Sequence, residues 1–579
     1  MIAQMKRILI PILVLAGLQQ LQAQSITITP EKVRSIDSIF KAAYSSIGPG
    51  GVVLVAQNGM PIFKKAYGMA SLELGVPMNT DNRLGIGSMS KQFCAVSILM
   101  LQDEGKLNIK DDVRKYFPTY DTHGRTITIE NMLSHTSGIP SYTEMYGFDT
   151  LAKHSVPISR LVSFFEKGNL VYEPGTNWSY SNSGYVLAAL IVEKLSGMTF
   201  NEFLQKRIFD PLSMNETTLG SGFTIPNRTG EYAQVPRGMV NMDTQYDWYW
   251  AYGAGQIVST VNDMLKWDEA LYSGKIVKPA TLELAHKSFV LANGQPANYG
   301  LGWAVGDLKG KKVIQHGGAI GGYRAGGYRI PDDHIYIVML TNTASSNTTK
   351  LGNGILSVLY EVKPLKENKK AGVNWKETNG VYESVNVGLR LQGNFTTKPA
   401  YYTLRADSAK HTLQRTGGPA TNLVAAGKDS LFDPTNPWVV IKLVRDDKGK
   451  VSGLSPYSLL PTYAPIRFNK KLNDEVPEIK KALPFDSAAL AKFTGVYENE
   501  FGSRTYMIIK NKALVMRDDD SGEEDVLELL GGPLFRVMGV DEELSFTTAK
   551  DGNVTGYSTY NGTSDLAMKK VVDKYGKGL

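Results

Sequence analysis

The stretch from Ser88 to Glu104 constrains this chain more than any other. Its apolar residues Phe93, Val96, Ile98, Leu99, Met100 and Leu101 lie nearly all round a helix that Gly105 closes. A helix with no polar face cannot rest on a surface, so this one must be central and buried. Yet it carries Lys91 one turn after Ser88. Positions i and i+3 share a helix face, which brings amine and hydroxyl together. Burial favours the neutral amine, and a neutral amine beside a serine can take its proton. Alone the pattern is weak. Ser38-Ile39-Phe40-Lys41 has the same spacing, and Ser88 could equally cap a helix whose lysine stretches to water.

The surroundings of that helix read as an α+β unit over residues 24–363. Val52–Ala56 and Ile62–Ala66 flank Asn58-Gly59, a hairpin signal because Asn-Gly favours the left-handed turn. A second helix is predicted from Ser183 to Leu195, stopping at Gly197. Lys312–Gly318, Gly326–Ile330 and Ile335–Thr341 read as strands, with Pro331-Asp332-Asp333 as a turn. Strands at both ends with helices between imply one antiparallel sheet in which the first and last segments meet.

Residues 364–376 are polar and read as a linker. Beyond them, short β-rich runs alternate with turns, as in small barrels or sandwiches. This half repeats itself. Gly380-Val381-Tyr382-Glu383 recurs as Gly495-Val496-Tyr497-Glu498, and Asp447–Gly453 is echoed by Lys550–Gly556. Two homologous all-β, barrel-like domains follow, at 377–468 and 486–579. The charged stretch Asn469–Lys481 reads as the connection between them, and Arg517–Asp525 as a solvated acidic loop.

Composition narrows the function. Of 579 residues, 42% are hydrophobic and 21% charged, the balance of a globular chain. Lys6 and Arg7 precede an apolar run from Ile8 to Leu18, and Leu21-Gln22-Ala23 offers a cleavage point, so residues 1–23 have the layout of a secretory signal peptide. The protein is expected to be exported, periplasmic or secreted, with no stable membrane anchor after cleavage. Losing Lys6 and Arg7 lowers the formal charge from +7 to +5. Without basic clusters interleaved with aromatics, nucleic acid is not an expected partner. Cys94, the one cysteine, cannot form an internal disulfide. The seven histidines lack ligand spacing, so neither a metal site nor a cofactor is expected.

Two further patterns give Ser88 and Lys91 company. Tyr180-Ser181-Asn182 precedes the second helix; in an extended segment Tyr180 and Asn182 point the same way, one able to relay a proton, the other to bind a carbonyl. His316-Gly317-Gly318 lies on a strand, where glycine lets another backbone approach closely, as a pairing peptide would require. A histidine alone on a strand is more often structural.

Taken in order, Ser88–Lys91 (SxxK), Tyr180–Asn182 (YxN) and His316–Gly318 (HxG) resemble the three motifs of the penicillin-recognising serine hydrolases. The branch is that of class C β-lactamases, serine D-Ala-D-Ala carboxypeptidases, D-aminopeptidases and related esterases. Met132–Pro140 (MLSHTSGIP), Tyr180–Gly197, Gly253–Asp263 (GAGQIVSTVND) and Tyr299–Trp303 (YGLGW) add to the resemblance, which covers roughly residues 30–360. It implies a five-stranded antiparallel sheet flanked by helices, a helical subdomain, and a site between them. It also implies that Ser88 forms an acyl-enzyme, that Lys91 and Tyr180 shuttle protons, and that Asn182, His316 and Gly318 bind substrate. The backbone N–H groups of Ser88 and Ala319 would form the oxyanion hole.

His316 departs from the lysine that β-lactamases usually carry at this place. An unperturbed imidazole titrates near 6.5, so at pH 7.5 about a tenth would be charged, a poor grip on a substrate carboxylate. The balance shifts towards a peptidase or amidase acting on small peptides or D-aminoacyl compounds, cell-wall-derived ones among them. A β-lactamase or D-Ala-D-Ala carboxypeptidase, an esterase, and a non-catalytic penicillin- or peptide-binding protein stay open, as does the oligomeric state. Exported protein is expected to begin near Gln24. Mass spectrometry of the secreted or periplasmic fraction checks this, and an intact Met1 chain in the membrane fraction would contradict it.

Overall fold

A computed structural model describes residues 26–571 apart from 146–147, 149–151, 153–156, 167, 221–223, 236–237, 244–246, 385–400, 407–410, 416–419, 462–467, 473–482, 499–503, 519–523, 538–542 and 561–564. The expected signal segment, part of the 469–481 connection and part of the acidic run lie outside the described residues.

The sheet is built as the hairpin signal requires. Strands β1 (Gly51–Gln57) and β2 (Met60–Tyr67) are joined by Asn58 and Gly59, both at positive φ, 51° and 73°. Four strands come from the far end of the unit: β3 (Ala304–Leu308), β4 (Lys311–Ile320), β5 (Tyr323–Ile330) and β6 (Ile335–Thr341). The order is β3-β4-β5-β6-β1-β2, with β1 pairing antiparallel to β6. First and last segments do meet. The sheet has six strands rather than the expected five, because Ala304–Leu308 adds to the outer edge of β4.

One face of this sheet covers the central helix α2 (Ser90–Asp103), whose residues from Ser90 to Leu101 are all buried. Ser88 lies just before it, in a 3₁₀ turn over Gly87–Met89. Helix α3 (Ser183–Ser196) packs against α2 and ends on Gly197 in the left-handed conformation, φ 71°. The other face carries α1 (Pro30–Ala43) and α4 (Thr348–Tyr360) around a second core with Ile36, Phe40, Ile355 and Leu359.

The first C-terminal unit is a nine-stranded antiparallel sheet within Gly380–Leu472. Its two edge strands, Ala420–Asn422 and Val424–Gly427, are separated only by Leu423, so the sheet must curl until its edges nearly meet. The second is a closed eight-stranded barrel in which Gly495–Glu498 pairs with the last strand, Asp565–Val571. The repeated Gly-Val-Tyr-Glu opens each unit, with its glycine at φ 148° and 141°. In each, the tyrosine hydroxyl donates to the carbonyl four residues back: Tyr382 to Thr378 at 2.6 Å and Tyr497 to Phe493 at 2.7 Å. The repeat therefore encodes a strand that starts by anchoring itself to the turn before it.

Leu460 of the first β unit is buried in the α1/α4 core, and Trp438 packs against it. No helix among the described residues is long and apolar enough to cross a membrane. A chain ended after Pro364 should keep its fold, because every sheet strand precedes that point, but melt at lower temperature for want of Leu460 and Trp438. Differential scanning calorimetry checks this; an unchanged melting temperature would show that the contact contributes nothing.

Candidate active site

Lys91 is fully buried one turn below Ser88, and its Nζ lies 3.2 Å from Ser88 Oγ. It donates to Asn182 Oδ1 at 2.7 Å and to the Ala254 carbonyl at 2.8 Å. Burial holds its pKa well below that of an ordinary lysine. A neutral amine has two N–H groups and one lone pair. With both N–H groups committed to Asn182 and Ala254, the lone pair is left for the Ser88 hydroxyl. The Ala254 carbonyl reaches Lys91 because Gly253 lets its loop close on α3: a Cβ there would lie 2.6 Å from the Tyr185 carbonyl.

Tyr180 and Asn182 both face Lys91, though not as an extended segment would place them. Asn182 has helical φ and ψ (−73°, −28°) and stands at the head of α3. The Tyr180 ring centroid is 4.8 Å from Lys91 Nζ. Asn182 Nδ2 donates to Thr143 Oγ1 at 2.9 Å, with Ser141 Oγ at 3.4 Å. Its first task in this structure is to hold Lys91, and a substrate carbonyl reaching Nδ2 would compete with Thr143.

Gly318 and His316 differ from expectation in what they touch. A Cβ on Gly318 would lie 1.9 Å from the Ile86 carbonyl, and one on Gly87 2.5 Å from Ala319 N. The missing side chains thus admit the nucleophile's own loop to β4, bringing the Ser88 and Ala319 backbones side by side, rather than making room for a substrate strand. His316 is buried, not poised at the surface of the site. Its Nδ1 donates to the Gly317 carbonyl at 2.5 Å, so Nε2 is the acceptor of the Tyr299 hydroxyl at 2.8 Å. Burial, then the nearby Lys91, lower its pKa to about 3. The expected one-tenth charge is therefore absent: this imidazole is neutral at pH 7.5, and both its nitrogens are occupied by the protein.

Ser88 opens on a cavity of about 210 Å³ walled by Tyr142, Phe148, Trp248 and Trp250, with Ala319 and Ile320 of β4 along one side. Strand β3 pairs with β4 only as far as Gln315, leaving β4 to run on past it at the cavity. Asp247 is the one charged residue lining the cavity among the described residues. Among the described residues the lining comes entirely from those before 322, and none from the β units. Sequence reasoning missed these aromatic walls. Asp247–Trp250 (DWYW) was the available signal, but a short aromatic run has no period that distinguishes a pocket wall from core. Among the described residues no group of three or more His, Cys, Asp or Glu side chains is placed to hold a metal ion.

A serine beside a buried amine, at the junction of an antiparallel sheet and a helical layer, defines a serine hydrolase of the penicillin-binding-protein type. Residues 39–359 match the Beta-lactamase family model, and the chain belongs to that family. Penicillin-binding protein 4* of Bacillus subtilis (strain 168) is 30% identical over 327 residues, 54% of this chain and 72% of that protein. The D-aminopeptidase of Brucella anthropi is 27% identical over 64% of this chain and 73% of its own length. The octameric penicillin-binding protein homologue from Pyrococcus abyssi shares the fold, with TM-score 0.52 and 22% identity over 76% of this chain and all of its own. The D-amino acid amidase from Ochrobactrum anthropi SV3, complexed with L-phenylalanine amide, does so with TM-score 0.51 and 22% identity over 57% of this chain and 99% of its own.

Gly318→Ala should cost at least about a hundredfold in activity, the scale of losing one oxyanion donor, because the new methyl forces Ile86–Ser88 away from Ala319. Rates of labelling by a fluorophosphonate, with circular dichroism as the folding control, check this. Wild-type labelling in a folded variant would show that the close approach is dispensable.

Proposed function

We propose that this enzyme hydrolyses small amides or peptides with an uncharged or cationic acyl portion, D-aminoacyl compounds foremost, through an acyl-enzyme on Ser88. The observation that carries this reading is the lining of the cavity, which among the described residues has aromatic walls, one carboxylate and no lysine or arginine. A penicillin presents a carboxylate, for which His316 offers no charge and Lys91, neutral and committed, offers none either. An ammonium group instead meets Asp247 and the faces of aromatic rings, which attract cations. The D-aminopeptidase and D-amino acid amidase relatives support the same direction by their names.

In the reaction, Lys91 Nζ takes the Ser88 proton as Oγ attacks the carbonyl carbon. The Ser88 and Ala319 N–H groups stabilise the oxyanion. Tyr180, set over Lys91, passes a proton to the leaving nitrogen as the C–N bond breaks. Water then cleaves the ester, with Lys91 and Tyr180 accepting its proton and returning one to Ser88. Export by way of the 1–23 segment would place this chemistry where cell-wall peptides are met.

Ser88→Ala should abolish turnover and covalent labelling while leaving the fold intact, and kcat/KM for nitrocefin should fall well below that for D-alanine p-nitroanilide in the wild type. A substrate panel of D- and L-aminoacyl amides, nitrocefin and p-nitrophenyl esters checks both. A nitrocefin ratio well above one would replace this reading with a β-lactamase.

A further inference from the structure

His135 sits beside Tyr180 but has no part in the proton path described above. It is fully buried, and it holds a left-handed backbone, φ 60°, that few non-glycine residues adopt. Two of its bonds flank Tyr180. The His135 carbonyl accepts from the Ser179 N–H at 3.0 Å, and its Nδ1 accepts from the Ser181 N–H at 3.0 Å. The same carbonyl accepts from the Tyr172 hydroxyl at 2.9 Å. The left-handed turn is what lets one residue present both its carbonyl and its ring to neighbouring N–H groups of a single strand of chain.

The ring is placed as closely as the backbone. Its centroid lies 4.3 Å from that of Tyr180 and 4.6 Å from that of Tyr299, the tyrosine that donates to His316. Because Nδ1 accepts a backbone N–H, the ring proton of the neutral form is on Nε2. That nitrogen has no hydrogen-bond partner among the described residues. Burial keeps the pKa well below the usual imidazole value. A ring of this kind neither takes a proton from Ser88 nor delivers one. What it can do is fix the position and tilt of the phenol lying on it.

We infer that His135 is a positioning residue for Tyr180, clamping Ser179 and Ser181 on either side and packing against the ring at a tilt of 37° so that the phenol stays over Lys91. This rests on the reading of Tyr180 as the group that protonates the leaving nitrogen. It separates two contributions that substitutions can remove one at a time. His135→Asn keeps an oxygen acceptor for the Ser181 N–H and tolerates the left-handed backbone. His135→Phe keeps a ring but leaves that N–H without an acceptor, and His135→Ala removes both.

The test uses two substrates that differ in need for a proton: D-alanine p-nitroanilide, whose leaving amide must be protonated, and p-nitrophenyl acetate, whose phenolate leaves unaided. His135→Ala should lower kcat on the anilide by about 30-fold or more, within the range of general-acid effects, with KM changed by less than about threefold. The loss on the ester should be at most about fivefold, since proton delivery is not needed there. His135→Asn should recover most of the anilide rate. In a Tyr180→Phe background, His135→Ala should cost less than about twofold more, because the two residues act as one unit. Equal losses on both substrates, a loss that only tracks a fall in folded protein, or full additivity with Tyr180→Phe would each overturn the inference. If Tyr180→Phe alone leaves the anilide rate intact, the reading of Tyr180 fails and this inference with it; if Tyr180→Phe is crippled while the His135 variants are not, only this inference fails.

Discussion

An amine has been taken out of water and placed under a serine, and much of the structure answers to that one burial. An ion the size of an ammonium loses several kcal/mol when it enters a protein interior without full compensation. For Lys91 burial holds the pKa well below that of an ordinary lysine, and Asn182 and the Ala254 carbonyl receive its N–H groups. Each acceptor has its own support. Asn182 is steadied by Thr143 at the head of α3, and Ala254 is delivered by a loop that Gly253 allows to close. The helix that carries Lys91 is apolar all round because a polar face would bring water to the amine and restore its charge. Catalytic use and core packing are thus the same constraint at this position.

How far the sequence could be read follows from the range over which each feature acts. Ser88 and Lys91 are one helical turn apart, so a local rule found them. The apolar helix, the Asn58-Gly59 turn and the Gly197 stop are likewise local, and the structure bears them out. Tyr180 and Asn182 were found as a pair, but the geometry that aims them at Lys91 is the head of a helix, not an extended strand. His316 and Gly318 were found as a motif, but the protein groups they touch were not foreseen. Whether a strand residue points to a cavity or to its own protein depends on what packs over it, here the Ile86–Ser88 loop and Tyr299. His135 and Tyr299 stood inside stretches noted only for resemblance. Nothing in their spacing announces that they meet the Tyr180 segment, some 40 and 120 residues away. The aromatic walls were missed for the same reason.

The disfavouring of positive charge extends beyond Lys91. His135 and His316 both lie in the same buried aromatic layer, both with lowered pKa values, and both with a tautomer set by a backbone group. The side chains around Ser88 therefore lie in a region that resists positive charge. Among the described residues the cavity in front of it adds a carboxylate, Asp247, and no cation. A negative charge placed there would meet no cation among the described residues, whereas an ammonium would meet Asp247. That contrast is what the proposed preference for amide and peptide substrates rests on. The β units stand apart from this economy of charge. None of their described residues lines the cavity, and the first of them touches the catalytic unit on the face of the sheet away from α2.

The charge of Lys91 is the claim on which the account turns, and it can be measured without any substrate. In protein labelled with ¹³C at lysine Cε, the Lys91 resonance is assigned by its loss in Lys91→Met and followed as the pH is varied. A lysine whose pKa is held down by burial binds its proton only as the pH falls below that lowered value. The Lys91 signal should therefore have the shift of a neutral amine at pH 7.5 and move only towards acid, while surface lysines titrate near 10.4. A Lys91 signal that titrates with the surface lysines would mean a permanent ammonium beneath Ser88, and the base for the reaction would have to be sought elsewhere.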